Sequence, residues 1–428
     1  DACGYPLCRG NIMAGNPDCC LTLSRWQQRF VQWIEQGSPK DLLNASIYFD
    51  FRALTGQAGM AASLRGFVTQ RASANPRFVR QLAVNGLLQA PPLNWRGQID
   101  TKPVDGLDTL DLKLQGTAIL VDVARLYALA NGIYPLFISW RSGALETVSD
   151  LAEEWAARLG LGVRGVPPAK GWLDRITEGT DRMLEPVLRA PGGAMWGQMK
   201  LNAVRASEDA QGGVRLAVER LKKLQAEVPG LEIHLVGHSA GSIVLGAMLK
   251  QMSAAGLKAA STRLFAPACT TRFAVDHYIP AVKKGTLPAE HFHIHTLSDK
   301  NEKDDCVGPY RKSLLYLVSR SFEDVHKMPL LGMAKNFDPA TIAPDAGDDV
   351  WARDRLPDVK RWQAFWSDLP HGGANLHLLD ARNVNNGAGS EKSTHGCFDN
   401  AIDLVGQALG YIVNPQQPPN IKIERLDY

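Results

Sequence analysis

The sequence predicts an α/β fold: a mostly parallel sheet covered by helices on both faces, preceded by a mainly helical N-terminal domain. Three observations carry this. Over residues 133–414, short apolar runs alternate with segments of helical period, the pattern of parallel strands joined by crossover helices. Residues 1–132 lack that alternation and read mainly as helices broken by proline. In Leu231–Lys250 an apolar run, Ile233 to Val236, enters a Gly-x-Ser-x-Gly turn and then a helix-patterned stretch, which is a strand, a sharp turn and a helix in sequence.

Composition bounds the function. The chain has 428 residues, 45% hydrophobic and 21% charged, with a formal net charge of +3. That length suggests more than one domain. The near-neutral balance argues against a nucleic-acid partner. No apolar run reaches the roughly 18 residues of a transmembrane helix, and no signal peptide is expected. Seven cysteines, an odd number at irregular spacing, suit reduced thiols and a cytoplasmic protein. The chain opens Asp1-Ala2-Cys3 without methionine, so the N-terminus is expected further upstream.

In order, residues 3–17 form an irregular stretch rich in Gly, Pro and Asn. Leu23–Ile34 predicts an amphipathic helix carrying Trp26, Phe30 and Trp33. Asn44–Arg52 predicts a strand. Helical spacing follows at Leu64, Phe67 and Val68, at Phe78, Val79 and Leu82, and from Leu107 to Leu129, with Pro91, Pro92 and Pro103 as breaks. Asp108 and Asp111 are expected to cap a helix.

The second part, 133–414, opens with a predicted buried strand at Ile133–Trp140 and a helix at Glu146–Leu159. Helices are expected at Trp172–Leu188, Met195–Ala206 and Val214–Val228. Strands are expected at Arg263–Pro267, His291–Leu297 and Leu376–Asp380, and a closing helix at Phe398–Val413. Residues 415–428, with Pro415, Pro418 and Pro419, read as a C-terminal appendage. Trp351, Trp362, Phe365 and Trp366 fall in a charged stretch that either packs on the core or, with Trp172–Ala206, covers an apolar acyl pocket.

The Gly237-His238-Ser239-Ala240-Gly241 turn makes Ser239 a candidate nucleophile. Gly237 and Gly241 would keep Cβ atoms out of a crowded turn. The helix N-terminus would offer backbone N–H groups to an oxyanion. In these residues the chain resembles the α/β-hydrolase superfamily, whose sheet is mostly parallel. The resemblance implies a serine esterase or lipase with its triad in the chain order Ser, acid, His. The loop after Leu297 would carry the acid. Asp305, in Asp305-Cys306-Val307, matches a common Asp-x-Val of such enzymes, and Asp299 is the alternative nearer the strand end. His395 lies where the family's histidine belongs, before the closing helix. His238 is a frequent neighbour of the nucleophile and not the base. His371, His377 and His234 are weaker candidates for the base. Ala240 N–H would be one oxyanion donor. The family's second donor lies on a His-Gly loop not found before Ile133, with Gly132 or Arg141–Gly143 as possible substitutes.

His291, His293 and His295 alternate along one run. Ligands spread over about 13 Å of strand cannot converge on one zinc, so no metal and no cofactor are expected.

Gly4–Pro17, Ile47–Arg52, Asp111–Gly116 and Ala124–Leu129 resemble the C-terminal portion of nucleotidyltransferases of the PII-uridylyltransferase type. The resemblance implies a Mg²⁺-dependent site, yet of its carboxylates only Asp50 matches. The Gly-Ser and Asp-x-Asp elements are expected before residue 1. The first expectation is therefore a serine hydrolase acting on a small acyl ester. The alternative is a remnant of a nucleotidyltransferase-type regulatory protein, or a fusion impaired by a missing oxyanion strand.

Overall fold

The computed structural model describes residues 21–48, 58–86, 102–104, 107–109, 133–136, 138, 172–343, 350–371 and 373–423. It divides into two compact units, 1–137 and 138–428.

In the first unit, helix α1 (Leu23–Gln36) begins at a Thr22 cap and ends at Gly37 in the left-handed region, φ +61°. Its apolar stripe buries Phe30, Trp33 and Ile34 against Leu64, Val68, Phe78 and Leu82 of α3 (Ala58–Ser73) and α4 (Pro76–Gly86). The strand expected at Asn44–Arg52 is instead, as far as Tyr48, the end of helix α2 (Pro39–Tyr48). The start signal lies upstream. Ser38 N–H and Oγ–H donate to Asp41 Oδ2 at 3.1 and 2.6 Å, and Asp41 N–H donates back to Ser38 Oγ at 3.2 Å. This reciprocal cap, with Pro39 in the first turn, starts a helix that the β-prone Ile47-Tyr48 then continues. Residues 107–109, expected to be helical, form strand β2 (Leu107–Thr109), antiparallel to β1 (Lys102–Val104). Asp108, expected at a helix start, lies within β2. Asp50, Asp111 and residues 110–129 lie outside the described residues.

The second unit is built on a four-stranded parallel sheet in the order β3 (His234–His238), β4 (Ser261–Phe265), β5 (Phe292–Leu297), β6 (Leu376–Leu379). These strands are where the apolar runs place them. Of the strand expected at Ile133–Trp140, the described residues 133–136 and 138 join no ladder, and Tyr134 is 75% exposed. Apolar, β-branched sequence becomes strand only where its backbone groups find partners.

Helix α5 (Trp172–Glu208) runs through Pro186 and Pro191, where two helices are expected. Tertiary packing overrides the prolines. Leu184, Leu188, Trp196, Met199 and Ala203 are buried in the core. A Cβ on Gly192 would stand 2.1 Å from the Phe322 ring, so glycine there lets the ring close on the helix. α6 (Gly213–Glu227) follows. α7 (Gly241–Ala255) packs against α5, α6 and α8 (Thr271–Lys283). α11 (Leu356–Asp368) packs on α8 and buries Trp362 and Trp366. The aromatics around Trp351 thus belong to the core, and neither they nor α5 form a separate cover.

The two faces of the sheet differ. The face toward α7 and α8 is apolar: Leu245 meets Gly237, and Tyr278 stacks on Phe292 at 5.5 Å. The other face carries Arg263, His293, His295 and His377, with Tyr411 of α12 (Ile402–Val413) 3.9 Å over the guanidinium. Short helices α9 (Asp299–Asp304) and α10 (Leu314–Leu317) follow β5, and a small β7–β8 hairpin (Asn383–Asn385, Ser390–Lys392) follows β6. The residues after Pro415 run back along α12: a Cβ on Gly406 or Gly410 would stand 2.3 Å from the Ile421 or Pro419 carbonyl oxygen.

The two glycines of the nucleophile turn are not equivalent. A Cβ at Gly237 would lie 2.7 Å from Leu245 Cδ1, whereas at Gly241 nothing lies within 4 Å. Gly241 therefore relieves no crowding, contrary to the sequence-based expectation. Gly237→Ala is predicted to lose about 1–3 kcal/mol through overpacking, and Gly241→Ala to change stability by no more than about 0.5 kcal/mol. Urea denaturation of both variants checks this, and equal losses would contradict it.

Candidate active site

Ser239 stands at the C-terminal end of β3 with φ +50°, a left-handed backbone that costs a non-glycine residue about 1–2 kcal/mol. The turn is fixed by its neighbours. Ser239 N–H donates to Phe265 O at 2.8 Å, and Ser239 O accepts from Ala268 N–H at 3.0 Å. That same oxygen also accepts from Ser242 N–H at 3.1 Å and Ser242 Oγ–H at 2.7 Å. Ser242 Oγ in turn accepts from Cys269 N–H, and Tyr278 OH donates to Ser242 O at 2.6 Å. Sequence reasoning missed Ser242 and Tyr278. The available signal was a hydroxyl at the second position of an otherwise apolar helix start.

His395 Nε2 lies 2.9 Å from Ser239 Oγ. The two residues are 156 positions apart, brought together because the loop after β6 returns over the end of β3. His238 helps hold that loop: its Nε2 lies 2.9 Å from the His395 carbonyl oxygen, and the two rings stack at 5.1 Å. Burial, then the neighbouring His238, holds His395 well below the ordinary histidine range. The imidazole is thus neutral and able to accept the serine proton.

The two candidate aspartates separate. Asp305 Oδ2 accepts from His395 N–H at 2.9 Å, and Oδ1 from Cys306 N–H at 2.7 Å. It touches the backbone of His395, not the ring: His395 Nδ1 is buried with no hydrogen-bond partner among the described residues. Asp299 lies elsewhere. It accepts from Tyr316 OH at 2.5 Å and pairs with Lys303 at 2.6 Å. Burial raises the Asp305 carboxyl above its usual range, against the pull of its two backbone donors.

Ala240, in right-handed helical geometry ahead of α7, offers its N–H at the turn. Gly132 and Arg141–Gly143 lie outside the described residues. Two clefts, of about 1630 and 500 Å³, open on this unit, and neither is lined by Ser239, His395 or Asp305.

None of the other histidines weighed from the sequence reaches Ser239 among the described residues. His293 Nδ1 lies 3.0 Å from His377 Nε2, and Arg263 Nη1 donates to His295 Nε2 at 2.8 Å. A guanidinium thus holds the position a metal would need beside His295. His234 bonds Ser261 Oγ at 2.8 Å. His371 offers its carbonyl to Asn375 N–H. Among the described residues no group of three His, Cys, Asp or Glu could hold a metal ion. The carboxylate set that a Mg²⁺-dependent transferase needs is therefore not found there, and no step is derived through a metal.

Beneath the acid, Glu302 is buried, receives Ser313 Oγ–H on one oxygen and leaves the other without a partner. Burial pushes its carboxyl up to about 8, so it is folded in protonated form at neutral pH. Its unfolded value is 4.5. A raised folded value gives stability that is complete below 4.5 and is lost as pH rises through about 8. Between these limits stability should fall by up to about 1.4 kcal/mol per pH unit. Glu302→Gln should flatten that slope. Urea midpoints across this range check it, and an unchanged slope would remove Glu302 as the cause.

Two family models match the chain. Residues 1–40 match one described as "Putative nucleotidyltransferase DUF294", and residues 76–162 one described as "Putative nucleotidyltransferase substrate binding domain". No curated protein and no solved structure matches. Among the described residues no helix is long and apolar enough to cross a membrane. The N-terminal part is thus similar to nucleotidyltransferases of the DUF294 type, and neither family description names a hydrolase.

Proposed function

We propose that the second unit is a serine hydrolase acting on a carboxylic ester or a related acyl substrate. The observation that carries this reading is the 2.9 Å contact of Ser239 Oγ with His395 Nε2 on a turn held at φ +50°. His395 takes the Oγ proton as Ser239 attacks the acyl carbon, and the Ala240 N–H faces the developing oxyanion. The protonated imidazole then gives its proton to the leaving alcohol. Water repeats the sequence to release the acid and restore Ser239. Asp305 acts by anchoring the His395 backbone, so it is a positioning residue.

A second reading rests on the N-terminal matches at 1–40 and 76–162: a nucleotidyltransferase-type regulatory protein in which the second unit does no acyl chemistry. The Ser239–His395 contact favours the first reading for the second unit, and the family matches favour the second for the N-terminal part.

Intact mass after incubation with a fluorophosphonate probe separates them. A single adduct is expected, absent in Ser239→Ala and slowed by about 10³-fold or more in His395→Gln. No adduct on the folded protein would overturn the hydrolase reading. The pH profile supplies a further check. The active form needs neutral His395, whose folded value lies well below 6.5. Labelling should therefore stay level from about pH 8 down through 6.5 and decline only in stronger acid. A midpoint at 6.5 would contradict the buried, neutral imidazole.

A further inference from the structure

The larger cleft, of about 1630 Å³, lies apart from the serine site, and eight Lys or Arg side chains line it against five Asp or Glu. Three of the cations are matched: Lys312 by Asp181, Arg320 by Glu185 and Lys303 by Asp299. One of the remaining carboxylates, Asp338, is engaged in a local turn with Ala340 N–H. Arg182, Arg311 and Lys335 line the cleft with no carboxylate within ion-pair distance among the described residues.

Lys335 is the most constrained of the three. Its Nζ lies 4.7 Å from the Tyr316 ring centroid and 4.5 Å from that of Trp351. It donates to Tyr316 Oη at 3.4 Å. The phenol proton is committed to Asp299, so the phenol oxygen is free to accept from the ammonium. Arg320 sits 5.3 Å over the same ring. Two aromatic walls and one long hydrogen bond leave the ammonium fixed and poorly hydrated, and the nearest carboxylate, Asp299, acts on it only across space because it is already shared by Tyr316 and Lys303. Burial lowers it to about 8, which leaves most of it protonated at neutral pH. Such a group gains when an anion comes into direct contact with it.

We propose that this cleft binds a small polyanion carrying phosphate groups, with Lys335 as its central cation and Arg182 and Arg311 beside it. The three cations come from three different segments of chain, which suits several anionic groups better than one. Guanidinium forks match phosphate oxygens in pairs. The cleft exceeds the usual range for a small ligand, about 300–1,000 Å³, so the chain has room for more than an inorganic ion. The proposal does not depend on Ser239.

Isothermal titration of the full chain with pyrophosphate, at about 0.15 M salt, tests it. The expected result is saturable binding with Kd below ~1 mM, unmatched by sodium chloride at equal ionic strength. Lys335→Ala should weaken it about tenfold or more, and Ser239→Ala should leave it unchanged. Arg182 is exposed, so Arg182→Ala keeps the test decisive should the Lys335 variant fold poorly. It too should weaken binding. No saturable heat with the native chain, or native affinity in the folded variants, would overturn the proposal. Equal binding of citrate would overturn the assignment to phosphate.

Discussion

The carbonyl oxygen of Ser239 is the point on which the second unit turns. It accepts from Ala268 N–H and from both the N–H and the hydroxyl of Ser242, while Ser239 N–H reaches Phe265 O. A non-glycine residue at φ +50° persists only where its surroundings over-determine it. Here the constraint comes from the register of β3 on β4, which sets Gly237 beside Leu264 and His238 beside Phe265. A slip of one residue would move Phe265 O away from Ser239 N–H. It would also carry Arg263 to the apolar face. The Ser239 geometry and the sheet register are therefore one constraint.

That register also sorts charge. Arg263 is 1% exposed and has no carboxylate partner among the described residues, yet it is not alone. His295 accepts from it, His293 and His377 bond one another, and Tyr411 lies across its plane. Burial, then the nearby Arg263, holds His293 near 3; the same two causes hold His377 near 4. Neutral imidazoles thus accept from a buried cation without adding positive charge. This is the arrangement a low-dielectric interior tolerates when no counter-ion is supplied. The same residues, read as a string, resemble a metal-binding run. Only the neighbouring strands show that His295 is partnered by Arg263 and His293 by His377.

What the sequence made legible follows from range. Ile233–Val236 and His291–Leu297 announce strands because β-branched and alternating residues need only local reading. Ser239 and His395 were legible through chain order. Helix α2 was misread because Ile47 and Tyr48 speak for strand while the deciding signal, the Ser38–Asp41 cap, brackets Pro39 several residues upstream. The prolines of α5 were misread because Phe322, more than a hundred residues on, supplies the packing that keeps the helix continuous. The role of Asp305 was legible only by half. Its position after β5 pointed to His395, but whether it meets the ring or the backbone depends on a few torsions of a loop. Asp299, one helix away, is drawn off by Tyr316 and Lys303, neither of which the strand-end pattern reveals.

Strand β3 pairs on one side alone among the described residues, with β4, and Val236 at its middle is 48% exposed. Everything seen to fix Ser239 therefore comes from the β4 side: Phe265, Ala268, and Ser242 with its link to Cys269. Under the hydrolase proposal the start of α7 also carries a chemical demand: with Ala240 N–H as the oxyanion donor, stabilisation of a developing negative charge would fall to that helix start. Its first-turn N–H groups are the ones left without intrahelical partners. The close approach of Gly237 to Leu245 keeps the helix start against the strand end. Packing at a glycine thereby becomes a condition for electrostatics at the neighbouring serine.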